Sequence, residues 1–256
     1  MTMTTLEKLL QIRKSRGAGY LILIDPDKTD TSKLPSFVRD ATEAGADGFL
    51  VGGSLLLSNE IDKLIQLIKS NTTLPVIIFP GSLFQISAVA DAILFLLLIS
   101  GRNPEHLIGN QVTAAPIIKR IGLEAISTGY MLIEAGKTTS AEFMSNTKPI
   151  PHNKPDIAVA HALAAELIGM KLLYLDAGSG ADLSVPDEII AKIASHCALP
   201  MVIGGGIRTP EAARNKVKAG ASFVVTGTVN EQNSHHSLVR EFAEAVHSAQ
   251  LVNPKS

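Results

Sequence analysis

Two short apolar runs that close in glycine, with one helix-length segment between them, constrain this chain more than any other feature. Met201 to Thr228 reads M-V-I-G-G-G-I-R-T-P-E-A-A-R-N-K-V-K-A-G-A-S-F-V-V-T-G-T. The first run, Met201 to Ile203, ends in Gly204, Gly205 and Gly206. Thr209 then stands as an N-cap, Pro210 at the first helical position and Glu211 in the first turn, which predicts a helix that stops at Gly220. The second run, Phe223 to Thr226, ends in Gly227-Thr228. Glycine directly after a strand lets backbone N–H groups turn toward an anion with no Cβ in the way. A single such loop reads equally well as a tight turn. Two of them on consecutive parallel strands match the phosphate-binding corner that (β/α)8 barrels build after strands 7 and 8.

The rest of the chain keeps the same rhythm. Strands are expected at Tyr20–Ile24, Gly48–Val51, Val76–Phe79, Ala92–Ile99, Glu124–Thr128 with its loop reaching Ile133, and Leu172–Asp176. Helices are expected at the N-terminus around Leu6, Leu9, Leu10 and Ile12, at Lys33–Ala44, from an Asn59 cap through Ile61, Leu64, Ile65 and Ile68, at Pro104–Ile121 with an interruption near Pro116, at Pro155–Ile168, at Pro186–Ala198 and at Ser234–Ala249. Leu83 to Ala90 is too short and too weakly patterned for a barrel helix, so the third helix is expected to be irregular or missing. Ala135 to Asn153 is a long polar connection of the kind used as a lid or binding loop. With 256 residues and 46% hydrophobic composition, the chain reads as a single (β/α)8 TIM-barrel domain, 1–256.

Composition excludes several classes. A net charge of −1 implies no nucleic-acid partner. The single cysteine, Cys197, rules out an internal disulfide and fits a reducing compartment. No signal peptide or transmembrane segment is readable, so a cytoplasmic protein is expected.

Polar clusters sit at the ends of the expected strands, and in a barrel these ends converge on one face. Asp25-Pro26-Asp27-Lys28 and Ser54 offer a carboxylate and a hydroxyl to a hard cation such as Mg²⁺, which keeps water and substrate phosphate among its ligands. The same residues also read as a capped turn with Asp27 and Lys28 in water. No His/Cys cluster has zinc spacing. Asp176 follows Tyr174-Leu175 and precedes Ala177-Gly178-Ser179-Gly180, so a third glycine loop joins the phosphate corner and sets a carboxylate beside it. That carboxylate either takes a proton from a bound hydroxyl or orders the loop. Lys28, Arg102 and Lys137 are cations for the anionic groups. His106, His152 and His161 suggest no role. The run Leu94 to Leu98, beside a reduced helix, is either a strand buried on both faces or the wall of a hydrocarbon site.

The motifs Leu23–Lys28 (L-I-D-P-D-K), Gly45–Ser54 (G-A-D-G-F-L-V-G-G-S), Val76–Ser82 (V-I-I-F-P-G-S), Ser100–Pro104 (S-G-R-N-P), Ser127–Tyr130 (S-T-G-Y), Tyr174–Ala181 (Y-L-D-A-G-S-G-A), Ile203–Arg208 (I-G-G-G-I-R) and Val225–Thr228 (V-T-G-T) together resemble the geranylgeranylglyceryl phosphate synthase family, in its second group of archaeal and bacterial members. The resemblance implies transfer of a geranylgeranyl group from its diphosphate to the C3 hydroxyl of sn-glycerol 1-phosphate, in ether phospholipid biosynthesis. It implies Mg²⁺ on Asp25 and Ser54, and glycerol phosphate on Tyr174, Leu175, Asp176, Ala177, Gly178, Ser179, Gly180, Gly205, Gly206, Gly227 and Thr228. Asp176, Tyr174 and Tyr130 form the candidate catalytic set. A homo-oligomer, dimer or hexamer, and transient membrane contact for the lipid substrate are implied as well. A relative taking a longer, heptaprenyl donor and a non-catalytic phosphate-ligand barrel are the alternatives. One departure stands out: the family usually has Glu where this chain has Asp176, one methylene shorter.

Overall fold

In the computed structural model, which describes residues 3–57, 60–227 and 236–249, eight parallel strands close into a barrel in sequential order, β1-β2-β3-β4-β5-β6-β7-β8. They are β1 Gly19–Ile24, β2 Gly48–Val51, β3 Val76–Ile78, β4 Ala92–Leu98, β5 Glu124–Leu132, β6 Leu172–Asp176, β7 Met201–Gly204 and β8 Phe223–Thr226, the last pairing with β1. The helices are α1 Thr5–Arg16, α2 Leu34–Glu43, α3 Ile61–Lys69, α4 Asn110–Ile121, α5 Ser140–Ser145, α6 Pro155–Ile168, α7 Asp187–Ala194, α8 Pro210–Ala219 and α9 His236–His247. The expected cap Asn59, and Ser234 at the start of the last helix, lie outside the described residues.

Period-2 alternation along each strand builds two apolar shells. Side chains such as Leu21, Leu50, Ile77, Val202 and Val225 fill the barrel, while Ile22, Val51, Ile78, Ile203 and Val224 pack outward under the helices. Helix α1 plugs the barrel floor with Leu9. Its first turn is held by a capping box between Thr4 and Glu7, and by the Glu124 carboxylate, which accepts from the N–H groups of Thr5 and Leu6. Nearby, the buried Asp47 carboxylate accepts from Arg16, His247 and the Tyr20 N–H, tying α1, β1 and α9 together. Helix α8 is capped as its sequence predicts, with Thr209 accepting from Ala212 N–H and the chain turning at Gly220.

Several boundaries differ from the expectations. Strand β5 runs on to Leu132, because β4 pairs with it from Glu124 to Tyr130 and β6 from Thr128 to Leu132, so every residue has a ladder partner. Helix α4 continues through Pro116, whose missing N–H removes one bond of a helix anchored on both sides; the irregularity is a π-helical turn at Glu105–Gly109 instead. Helix α7 ends at Ala194, short of Ala198. The polar connection after β5 returns along it through a bridge between Ile133 and Ile150, and carries α5.

Between β3 and β4 the barrel helix is missing. A 3-10 turn, Leu83–Gln85, is all that stands there. Strand β3 pairs with β4 only through Ile77–Ala92 and Ile78–Ile93, so β4 beyond Ile93 has a free edge on that side. Phe95, Leu96 and Leu97 are consequently only half-buried, which decides against a strand covered on both faces. No helix among the described residues is long and apolar enough to cross a membrane.

Candidate active site

A cavity of about 1090 Å³ occupies the C-terminal mouth of the barrel and continues through the gap left by the missing helix. It has three regions: a glycine-rich corner, a carboxylate-and-hydroxyl ledge, and an apolar channel.

The corner is built from the loops after β6, β7 and β8. Gly178, Gly180, Gly205 and Gly206 all adopt positive φ, between 68° and 90°. A Cβ at Gly205 would stand 2.6 Å from the Gly178 nitrogen, and one at Gly206 2.7 Å from the Leu183 oxygen. The loops interlock through bare backbone, so only glycine fits. The N–H groups of Gly180, Gly205, Gly206 and Gly227 have no acceptor among the described residues. Backbone N–H groups converging without side chains have the chemistry to accept an anion.

Asp176 sits between corner and channel. Its side chain alternates inward with Tyr174, while Leu175 and Ala177 point outward into the shell beneath the helices. Leu175 and Ala177 have no side chain facing the cavity, because a strand shows alternate residues to each face. One Asp176 oxygen accepts from the Tyr130 hydroxyl at 2.7 Å, the other from Gly178 N–H at 2.7 Å. Although Asp is short, it is on the cavity wall. Burial pushes its carboxyl above the ordinary range, against the lowering effect of those two hydrogen bonds. Burial and the neighbouring carboxylate push the Tyr130 and Tyr174 hydroxyls far up, so both stay neutral. Phe79 stacks on Tyr174 at 4.6 Å and meets Tyr130 edge-on at 5.7 Å, giving the site an aromatic floor.

The ledge carries Asp25, Asp27, Lys28 and Ser54. Asp25 Oδ2 pairs with Lys28 at 2.6 Å and Oδ1 accepts from Asp27 N–H at 3.1 Å. Gly53 leaves room beside this carboxylate: a Cβ there would lie 3.3 Å from Oδ1. No group of three or more His, Cys, Asp and Glu side chains gathers among the described residues. Such a donor set cannot enclose a structural metal, but it fits a hard cation that takes its remaining ligands from water and phosphate.

The channel is lined by Leu83, Ile86, Ile93, Phe95, Ala114 and Ile118. Its walls are β4, α4 and the turn that replaces the third helix. Gln111 lies in this wall with its Nε2 donating to the carbonyls of Leu96 and His106, and so satisfies part of the free β4 edge.

Two expected cations fall elsewhere. Arg102 is absent from the cavity wall and lies in a separate shallow groove with Asn103, Lys148 and His161, its guanidinium turned to the Gly101 carbonyl. Lys137 is also absent from the cavity wall and pairs with Asp182 at 2.8 Å. Arg208 takes the inward place instead, donating to the carbonyls of Ala181 and Asp182 while lining the cavity. Its position inside the Ile203–Arg208 motif was the available signal. Thr228 lies outside the described residues. Gln85 and Phe79 were missed because nothing in their spacing marks them.

Residues 10–246 match the model of the PcrB family. A geranylgeranylglyceryl phosphate synthase of Chitinophaga pinensis is 45% identical over 93% of this chain and 94% of its own length. One of Korarchaeum cryptofilum is 40% identical over 93% and 98%. The crystal structure of (S)-3-O-geranylgeranylglyceryl phosphate synthase from Thermoplasma acidophilum, in complex with substrate sn-glycerol-1-phosphate, superimposes with a TM-score of 0.91 at 34% identity, covering 96% of this chain and 99% of that one.

Proposed function

Since the chain belongs to the PcrB family, we propose that it joins geranylgeranyl diphosphate to the C3 hydroxyl of sn-glycerol 1-phosphate in an Mg²⁺-dependent step of ether phospholipid synthesis. It is an enzyme of the geranylgeranylglyceryl phosphate synthase type, a prenyltransferase. The observation that carries the finer reading is the single cavity in which a phosphate corner, a buried carboxylate and an open apolar channel meet.

The glycine corner binds the acceptor phosphate through backbone N–H groups, and Arg208 adds a charge at its edge. Asp176 then faces the acceptor's C3 hydroxyl. The hydroxyl oxygen forms a bond to C1 of the prenyl group, the bond from C1 to the diphosphate oxygen breaks, and the hydroxyl proton passes to Asp176. Tyr130 and Gly178 hold both carboxylate oxygens, which fixes the direction of that transfer. As C1 builds allylic positive charge, the ring faces of the Phe79, Tyr130 and Tyr174 cluster offer it a favourable quadrupole. Asp25, Asp27 and Ser54 are the residues to hold Mg²⁺, which when bound supplies the charge that lets diphosphate leave. The channel takes the hydrocarbon, whose burial stabilises the complex by about 25 cal/mol per Å².

The test uses radiolabelled sn-glycerol 1-phosphate with a ladder of prenyl diphosphates, with Mg²⁺ or with EDTA, scoring lipid-extractable label. Product with the geranylgeranyl donor and none in EDTA is expected. A best donor of heptaprenyl length would overturn the chain-length reading, and no product with any donor would leave only a phosphate-binding barrel.

A further inference from the structure

We propose that Gln85 is the positioning residue of the cation ledge: its carboxamide locks the Gly52–Ser54 loop, and with it the Ser54 hydroxyl, against Asp25. This rests on the reading of Asp25 and Ser54 given above.

Gln85 is fully buried, in the 3-10 turn that stands in place of the third helix. Its Oε1 accepts from Gly53 N–H at 3.3 Å and from Gly81 N–H at 3.2 Å, and its Nε2 donates to the Gly53 carbonyl at 2.8 Å. One side chain therefore takes both backbone polar groups of Gly53, as a neighbouring strand would, and ties them to the loop after β3. The two loops already touch through bare backbone. A Cβ on Gly52 would lie 1.9 Å from the Phe79 oxygen, and one on Gly81 would lie 2.1 Å from the Gly53 oxygen and 2.9 Å from Ser54 Cα. On its other side Gly53 borders the Asp25 carboxylate. Gly53 is thus clamped between Gln85 and Asp25, and any slack at Gln85 moves Ser54 relative to Asp25. The chemistry is specific to glutamine: asparagine is one methylene short, and glutamate keeps the acceptors but sets an oxygen against the Gly53 carbonyl.

A regular helix after β3 would fill the channel. The segment that leaves the channel open therefore also sets the ledge where the donor's charged end is read, through one inward side chain.

The test compares the full chain with Gln85→Met, which keeps length and loses the amide, Gln85→Glu, and Asp25→Ala. Mg²⁺ is titrated calorimetrically in the presence of inorganic diphosphate, and KM is measured separately for each substrate. Gln85→Met is expected to weaken the titration and raise KM for the prenyl diphosphate by about 10-fold or more, the usual effect of removing a partner that orients a ligand. KM for glycerol 1-phosphate should stay within about two-fold, and Gln85→Glu, which sets a buried oxygen against the Gly53 carbonyl, should weaken the titration at least as much as Gln85→Met. If Asp25→Ala abolishes the titration and Gln85→Met leaves it unchanged, Gln85 has no such role. A rise in both KM values together means general loosening and also overturns it. If Asp25→Ala leaves the titration unchanged, the ledge itself has been misread. Should Gln85→Met not fold, hydrogen exchange on the unaltered protein decides: the Gly53 and Gly81 amides should exchange slowly, and exchange at the rate of an open loop defeats the proposal.

Discussion

The two ends of the cavity are made in opposite ways. The glycine corner is crowded: its loops interlock at distances that admit no side chain, and the polar groups it presents belong to the backbone. The channel is a vacancy in the architecture, where a helix is missing, strand β4 is unpaired beyond Ile93 on one side, and apolar side chains supply the surface. A small dianion needs fixed donors at fixed distances, and backbone on rigid strand ends gives them. A hydrocarbon needs area and length but no directed contacts. The corner should therefore fail sharply when altered, and the channel gradually.

The largest effect is expected where the two ends meet. Asp176→Asn keeps the shape of the side chain and removes its basicity, so kcat should fall by roughly 10²–10⁴-fold, with Mg²⁺ binding retained. Near wild-type turnover would remove Asp176 from the mechanism. The protonated carboxyl cannot accept the proton, so wild-type kcat should rise with pH along an acid limb. That limb should lie above the ordinary carboxylate range, because burial raises the group. The sign for stability is opposite. A raised carboxyl contributes stability that is present at low pH and lost as pH rises through its folded-state value. The neutral Asn side chain escapes that loss, and the difference in unfolding free energy should move in favour of Asp176→Asn as pH increases.

The corner is tested next by Gly205→Val. The substitution forces a β-branched residue into positive φ and sets a Cβ against Gly178 and Asp176. KM for glycerol 1-phosphate should rise by about ten-fold or more, on the scale of a lost charge-assisted contact, while Mg²⁺ titration with inorganic diphosphate is little changed. Equal losses at both ends would show that the corner and the channel are not separable.

The same contrast explains what could be read without coordinates. The corner was legible because its glycines cluster within a few residues of the ends of the apolar runs that form β6, β7 and β8. The missing third helix was legible as an absent pattern between Ser82 and Ala92. The outward facing of Leu175 and Ala177 follows from strand alternation, and the motif that contains them obscured it. Arg102 and Arg208 both follow a strand end, and only the loop geometry turns Arg208 toward the cavity and Arg102 away from it. Gln85 carries no local signal at all. One partner, Gly81, is four residues away in the same connection, but the other, Gly53, belongs to the loop after β2, and that contact exists only once β2 and β3 are paired. Likewise β5 extended beyond its expected end because β4 and β6 gave its backbone partners, a tertiary effect that propensity does not contain.

The smallest effect belongs to the channel, and Ala114→Phe measures it. Ala114 lies on α4 with little surface exposed, on the channel wall that faces the half-buried part of β4. In a packed core, added volume of this size costs about 1–3 kcal/mol through strain. In a channel it enters open space, so the melting temperature should hardly move. The effect should appear instead in the donor ladder: turnover with short prenyl diphosphates unchanged, turnover with the longest donors reduced several-fold, and KM for glycerol 1-phosphate untouched. A drop in melting temperature with no change in donor preference would mean that the hydrocarbon takes another path. A uniform loss at every chain length would place Ala114 next to the reacting end of the donor, and the channel would then run in the opposite direction, from α4 inward.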